Sequence, residues 1–291
     1  MLHRLSRRLA PYFRAISLRI LSAWRLLLFA FVTWTLFDTL LVHHRLDAAG
    51  QTYLKPQSPV RVYIASLHWN NERILRNSWN QGLLDLVSVL GPSNVFVSVY
   101  ESGSRDGSKD ALRELDQALG VMGVPRNITL DKTTHADAMA SPPLEPGNGW
   151  VETPRGRIEL RRISYLARLR NKSLQPLEEM ALSGIEFDYV LFLGDVVFTV
   201  PDVLALLNTN NRDYAAACSL DFSKPPRYYD TFALRDIDGH EHATQTWPYF
   251  RSSKSRAAMK RSKPVLVSSC WNGMGKTFLI YLDYPFYQDA N

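Results

Sequence analysis

Three short runs dense in β-branched and aromatic residues frame this 291-residue chain: VRVYIAS at 60–66, VFVSVY at 95–100 and YVLFL at 189–193. Mostly apolar on both faces of the pleat, they read as strands buried on both sides, as in a parallel sheet between helix layers. The segments between them have helical spacing. Residues 73–90 carry Ile74, Leu83, Leu84, Val87 and Leu90 and close on Gly91-Pro92. Residues 108–119 form a second helix, with Ser108 as N-cap and Asp110 in the favourable first turn. Residues 127–130 add a short third strand, 157–182 a helix bent at Pro176, and 214–220 a further strand. Residues 131–156 contain Pro142, Pro143, Pro146, Pro154, Gly147, Gly149 and Gly156, which predicts a long loop without regular structure. Strands alternating with helices imply an α/β fold, a mostly parallel sheet flanked by helices, whose ligand site lies at the carboxyl ends of the strands.

A separate signal sits before this body. Residues 26–37 (LLLFAFVTWTLF) are uncharged, and tolerating Asp38 extends the apolar span over 22–42, long enough to cross a bilayer. Arg4, Arg7, Arg8, Arg14, Arg19 and Arg25 precede the first acidic residue, Asp38. Taking those six from the 34 basic residues leaves 28 against 28 acidic ones, so the formal charge of +6 resides in the tail alone. That distribution argues against a nucleic-acid-binding body, which would carry its basic patch on the domain itself. It predicts a cytosolic basic tail at 1–21, a transmembrane signal-anchor at 22–42 and a proline-bearing stem at 43–59, with the body in the lumen. A cleaved signal peptide fits less well, because Ala48-Ala49-Gly50 lies too far beyond the apolar core and the basic region is too long.

Cys218 and Cys270 are the only cysteines; in an oxidising lumen they have the chance to pair, though two are too few to define a disulfide framework. Asn127-Ile128-Thr129 and Asn171-Lys172-Ser173 match the N-glycosylation triplet. His240-Glu241-His242 fits no strong zinc spacing and reads as a surface turn beside Gly239. The basic stretch 250–263 reads as a solvated helix face, with a diphosphate ligand or an acidic partner as the functional alternatives. Trp247, Tyr249 and Trp271 are candidates for stacking on a ligand ring, against the commoner fate of core packing.

Three strand ends carry the chemistry. The first runs into Leu67-His68-Trp69-Asn70-Asn71-Glu72, the second into Glu101-Ser102-Gly103-Ser104-Arg105-Asp106-Gly107-Ser108, the fourth into Gly194-Asp195. The second loop is small, acidic and opens a helix, which offers free N–H groups to an anion. A carboxylate such as Asp195 at a sheet edge suits a divalent cation that also takes phosphate oxygens.

The order of a strand, the ESGSRDGS turn, a helix, Arg168-Leu169-Arg170-Asn171 and then YVLFL-Gly-Asp resembles the GT-A glycosyltransferases. Phe192-Leu193-Gly194-Asp195-Val196-Val197-Phe198, Cys218-Ser219-Leu220-Asp221-Phe222, Tyr229-Asp230-Thr231-Phe232, Gln245-Thr246-Trp247-Pro248-Tyr249-Phe250 and Ser269-Cys270-Trp271-Asn272-Gly273-Met274 narrow the match. They resemble the fungal capsule-associated α-1,3-mannosyltransferases of the cryptococcal type over about 60–275. The resemblance implies a GT-A-like, retaining enzyme of the Golgi membrane, single-pass type II, which transfers mannose from GDP-mannose to a glycan acceptor with a divalent cation, Mn2+ by the family's pattern. It implies Asp195 as the metal-binding and catalytic carboxylate, Asp221 as a second catalytic candidate and Asp230 near the acceptor side. Glu101, Ser102, Asp106, Arg168 and Arg170 are then the donor-binding candidates.

Two departures accompany the resemblance. The family places Asn before the aspartate matching Asp195, whereas this chain has Gly194, which removes a polar side chain from the metal end. The family also continues past the Cys-Trp-Asn-Gly-Met stretch into a segment with further Cys, Glu and His residues, whereas residues 276–291 form an atypical tail, so the domain is expected to end near 275 and to be truncated. The alternatives that follow are a member that binds nucleotide or glycan without turnover, a transferase with another donor such as a UDP-sugar, and a membrane-anchored interaction protein that binds no nucleotide.

Overall fold

The computed structural model describes residues 24–41, 43–44, 60–140 and 142–278. The expected basic tail at 1–21, most of the stem and residues 279–291 lie outside them. The chain divides into two units, Met1–Leu54 and Lys55–Asn291.

The first unit contains α1 (Trp24–Leu41), 18 residues with a mean hydropathy of 1.4, long and apolar enough to cross a membrane. Its threonines bond back to the helix, Thr33 to the Phe29 carbonyl and Thr39 to the Thr35 carbonyl, so their hydroxyls need no water.

The second unit begins with β1 (Val62–His68), a helical segment built from α2 (Glu72–Ile74), a π-turn (Leu75–Trp79) and α3 (Asn80–Leu90), and then β2 (Val95–Ser102). It continues through α4 (Ser108–Val121), β3 (Arg126–Asp131) and α5 (His135–Met139). A hairpin of β4 (Trp150–Glu152) and β5 (Ile158–Leu160) leads into α6 (Arg162–Leu182) and β6 (Tyr189–Leu193). The remainder comprises α7 (Val200–Asn208), β7 (Ala216–Cys218), β8 (Phe222–Lys224), β9 (Arg227–Tyr228), β10 (Arg235–Asp236), α8 (Ser253–Lys260), β11 (Val267–Ser269) and β12 (Met274–Phe278).

Six strands form one sheet in the order β3-β2-β1-β6-β12-β7. The first four are parallel, and β12 runs antiparallel to both β6 and β7. The expected mostly parallel α/β sheet is therefore present, with a mixed edge. The main core lies on one face, where Val62, Ile64, Val97 and Leu191 of the strands meet Leu83, Leu86 and Val87 of α3, Leu112 and Leu115 of α4, and Val203 and Leu207 of α7. On the other face Tyr63, Ala65 and Val190 pack with Leu177 of α6 and Phe187. A third, smaller core joins Tyr228, Leu234, Tyr249 and Phe250.

Several local expectations are corrected. Ser108 is the first residue of α4 rather than its cap: the Asp106 carboxylate accepts its N–H at 3.0 Å, and Glu72 accepts the Gly107 N–H at 3.0 Å. The 131–156 segment is not structureless, because Thr134 and Asp137 form a capping box that starts α5 and Trp150–Glu152 pairs with Ile158–Leu160. That pairing also delays α6 to Arg162, and Pro176 is accommodated inside the helix. The strand expected at 214–220 shortens to Ala216–Cys218. Strand β12 lies between β6 and β7 and extends as far as Phe278.

Candidate active site

The sheet topology gathers three distant segments at one edge. Strand β6 ends at Leu193, directly before Gly194 and Asp195. Because β12 is antiparallel, its first residue Met274 lies opposite Leu193, and Cys218 at the end of β7 lies opposite Gly275. Residues 194–195, 219–221 and 271–273 therefore share the carboxyl edge of the parallel strands, where a ligand site is expected. The packing there is tight. Gly194 donates its N–H to the Gly273 carbonyl at 2.7 Å, and a Cβ on Gly194 would stand 3.0 Å from that oxygen. A Cβ on Gly273 would meet Val196 at 2.0 Å. Two glycines are thus required for the loop before β12 to lie against the end of β6. Cys218 and Cys270 form a disulfide that ties the same two segments together. Buried Asn272 completes the joint, donating to the Ser219 carbonyl and accepting from the Tyr228 hydroxyl at 2.8 Å.

Three carboxylates converge on this joint. Asp195 is exposed, and Asn71 donates its side-chain N–H to Asp195 Oδ2 at 3.1 Å. Asp221 is half-buried and held above the usual carboxylate range, chiefly by burial and further by the negative charge of Asp195. Its Oδ1 is buried with no hydrogen-bond partner among the described residues. Asp230 is also raised, first by burial and then by Asp221, while Arg170 acts in the opposite direction. The Arg170 guanidinium stacks on Trp271 at 4.5 Å from the ring centroid, and the far side of the joint is closed by Phe192, edge-on to Trp271 at 5.4 Å. Trp271 is therefore a wall that holds Arg170 beside the acids.

Beneath the carboxylates lies a buried polar strut. Fully buried His68 ends β1 and packs edge-on against Trp79 at 4.5 Å. The Ser66 hydroxyl donates to the Leu193 carbonyl at 2.5 Å, which leaves its lone pair for His68 Nε2–H at 2.8 Å. With its one proton on Nε2, neutral His68 presents Nδ1 as an acceptor 3.3 Å from Asn71 Oδ1, which is a polar contact rather than a hydrogen bond; Asn71 reaches Asp195 separately, through its side-chain amide. Burial lowers the His68 pKa to about 4, and the imidazole is neutral near pH 7. The Trp79 indole N–H adds a bond to the Gly194 carbonyl at 2.9 Å.

The donor-binding candidates separate into two groups. Arg170 belongs to the acid cluster. Arg168, two residues earlier on α6, projects elsewhere, is exposed and donates to the Asn148 carbonyl, because residues two apart on a helix do not share a face. Glu101 is fully buried, paired with Lys109 at 2.5 Å, and accepts the Ser104 N–H. Buried Ser102 lies 3.4 Å from the Tyr165 hydroxyl. Asp106 accepts the N–H groups of Ser108 and of Glu72, the latter at 3.1 Å, which holds its pKa low against the opposing effect of burial. The N-terminus of α4, expected to be open to an anion, already has two carboxylates on it, from Glu72 and Asp106. This loop packs on the Asn70–Glu72 turn, where Asn70 accepts the Arg105 N–H at 2.9 Å.

One further group has the composition of a cation site. Asp236, Asp238 and His240 offer ligand atoms within 4.8 Å of one another. The Asp236 carboxylate, however, accepts the backbone N–H groups of Asp238, His240 and Ser252, which is the geometry of a turn. Exposed His240 and Glu241 agree with the surface turn expected there.

With this geometry in hand, the comparison with protein families is decisive: residues 61–286 match the model of cryptococcal mannosyltransferase 1. The chain belongs to the cryptococcal mannosyltransferase 1 family. No curated protein matches it. Among solved structures it is similar to the mannosyltransferase PcManGT from Pyrobaculum calidifontis in complex with GDP-Man and Mn2+, at 14% identity and a TM-score of 0.33. That alignment covers 62% of this chain and 43% of the other. Glucosyl-3-phosphoglycerate synthase from Mycobacterium tuberculosis, in complex with Mn2+, UDP and phosphoglyceric acid, aligns at 13% identity and a TM-score of 0.30, over 79% of this chain and 59% of its own. The chain thus spans about half the length of the solved structures it matches.

In this cryptococcal mannosyltransferase 1 family member, sequence reasoning missed Asn71, His68 and Ser66. His68 and Asn71 stood in the first strand-end loop, yet nothing in their spacing links them to residues more than a hundred positions away. Asn71 supplies an amide beside Asp195, where Gly194 carries no side chain. Trp271, a stacking candidate by sequence, packs between Arg170 and Phe192. Tyr249 is buried in the small third core, whereas Trp247 is half exposed.

Proposed function

We propose that this chain transfers mannose from GDP-mannose to a glycan hydroxyl, with an α-1,3 linkage and retention at the anomeric carbon. The observation that carries the reading is the convergence of Asp195, Asp221, Asp230 and Arg170 at the carboxyl edge of the sheet in a chain of this family. The donor set fits a hard divalent cation such as Mn2+: its atoms are carboxylate oxygens, and one of them, Asp221 Oδ1, is buried without a hydrogen-bond partner. Asp195 and Asp221 are the residues that would hold the cation. When bound, it supplies positive charge against the diphosphate leaving group.

The chain's own residues do the remainder. Asn71 holds one oxygen of the exposed Asp195 carboxylate. Arg170, fixed by its stack on Trp271, presents a planar cation suited to phosphate oxygens. Asp230 stands beside Tyr229 and Phe232, both exposed, and this side of the site is assigned to the acceptor sugar. Glu101, Ser102 and Asp106 shape the loop against which the nucleotide would lie. The body is placed in the Golgi lumen behind a type II anchor; α1, the arginine-rich flank and the disulfide support that placement.

Calorimetry of the full chain in detergent, titrated with GDP-mannose with and without Mn2+, tests the reading. Cation-dependent binding that Asp195→Ala removes is the expected result, followed by release of GDP when a mannoside acceptor is added. Binding without turnover would identify a member that retains the site but not the reaction. A folded protein that binds no nucleotide overturns the proposal.

A further inference from the structure

We propose that Asn127 carries an N-linked oligosaccharide that covers the free edge of the sheet, and that Asn171, the second triplet asparagine, does not. The proposal rests on the lumenal placement of the body. Strand β3 is the outermost strand, bonded to β2 on one side only. An unpaired edge of this kind is a template for another strand unless it is charged, bulged or covered. Asn127 and Thr129 occupy alternate positions of β3, so their side chains share a face, and both are exposed. The Thr129 hydroxyl donates to Asn127 Oδ1 at 3.1 Å, which brings the two functional groups of the triplet together on an extended backbone.

The other triplet is built differently. Asn171 lies in the interior of α6, and Ser173 is buried with its hydroxyl donating to the Arg170 carbonyl at 2.7 Å. A glycan on Asn171 would also stand next to Arg170 of the acid cluster.

The surroundings of Asn127 leave room for a large substituent. Helix α6 packs over β1 and β2 and leaves two grooves of about 640 and 680 Å³ beside β3, both lined by Asn127. Phe96, Pro176 and Met180 contribute apolar surface there, Lys172 and Glu179 polar groups. An amphipathic sugar chain rooted at Asn127 meets both kinds of surface. Its attachment forms a bond between Asn127 Nδ2 and the first sugar carbon of a lipid-linked oligosaccharyl diphosphate. The bond from that carbon to the diphosphate breaks, the lipid diphosphate leaves with the electron pair, and Nδ2 gives up one proton.

The test uses the full chain with a C-terminal tag, made in a eukaryotic secretory host and recovered in sealed microsomes. The expected result is a mobility shift of one glycan that peptide N-glycosidase removes. The shift is lost in Asn127→Gln and Thr129→Ala, and retained in Thr129→Ser and Asn171→Gln. A tag protected from added protease on a chain without any glycan overturns the proposal while leaving the lumenal placement intact, as does a shift lost only in Asn171→Gln. A tag digested in sealed microsomes overturns the proposal through its premise and refutes the lumenal placement itself.

Discussion

Asn71 and Asp195, 124 positions apart in sequence, are joined by a hydrogen bond of 3.1 Å from the Asn71 amide to Asp195 Oδ2. Asn71 is itself fixed, since its Oδ1 accepts the Trp69 N–H at 2.9 Å and its own backbone N–H donates to Ser108 at 2.8 Å. A residue that orients a cation-binding carboxylate typically contributes about 10- to 100-fold in affinity. Asn71→Ala is therefore expected to weaken Mn2+ binding, read by calorimetry, by about 10-fold, with little movement of the unfolding midpoint. Unchanged cation affinity would remove Asn71 from the site.

Asp221 and Asp230 give the site a pH dependence of defined sign. Both have native pKa values raised above the ordinary 3.8, by burial first and by neighbouring carboxylates next. Asp221 would hold the cation, which must displace the proton that residue retains, so cation affinity should rise with pH through its raised value and level off above it. In the fold itself the raised values act oppositely. Their stabilising contribution is full below 3.8 and is lost as pH rises through the native pKa. Asp221→Asn, compared with the parent by NMR titration of the Asp230 carboxyl, should lower the Asp230 pKa, because the Asp221 charge is the neighbouring carboxylate that raises it; an unmoved Asp230 titration would separate the two acids.

His68 behaves in the other direction. Its pKa falls from 6.5 to about 4 in the fold, mainly through burial. Above 6.5 both folded and unfolded chains hold it neutral, and its contribution to stability is complete. As pH drops from 6.5 towards 4 the unfolded chain takes the proton first and the fold loses stability, by roughly 3 kcal/mol at most. His68→Gln should be less stable at pH 7, because it breaks the contact with Trp79, yet lose less on acidification. Parallel acid slopes for the two proteins would refute this assignment.

The disulfide between Cys218 and Cys270 closes a loop across 52 positions and binds the Asp221 segment to the Trp271 segment. Loop-closure entropy for that length places its stabilisation at about 4 kcal/mol. The Cys218→Ser/Cys270→Ser double variant is expected to melt at lower temperature and to bind GDP-mannose more weakly, because Trp271 and Arg170 lose their fixed position. Weaker melting with undiminished binding would confine the bridge to a structural role.

Removing the Trp79 indole N–H tests the support beneath the Gly194-Asp195 turn. Trp79→Phe leaves the Gly194 carbonyl without its bond of 2.9 Å. The expected cost is about 1–3 kcal/mol in a denaturant titration, with a smaller loss in cation affinity.

The sequence by itself determined the layered α/β body, because VRVYIAS, VFVSVY and YVLFL are apolar on both faces and the helices between them have an apolar stripe. It also determined the apolar helix near the N-terminus and pointed to the strand end at Asp195. Family membership was legible in segments such as CSLDF and SCWNGM. Local pattern did not reveal β12 as an internal strand, since its five residues (MGKTF) alternate too weakly to distinguish a strand from a tail. Nor did it separate Arg170 from Arg168, because that depends on which face of α6 turns towards Trp271. Only the tertiary structure decided that Asp106 and Glu72 cap α4, that Asn71 reaches Asp195, and that Asp221 and Asp230 share one charge environment. These are pairings between residues far apart in sequence. Hydrophobic period records which face of an element is buried, whereas the register of the sheet decides which polar groups at its edge meet.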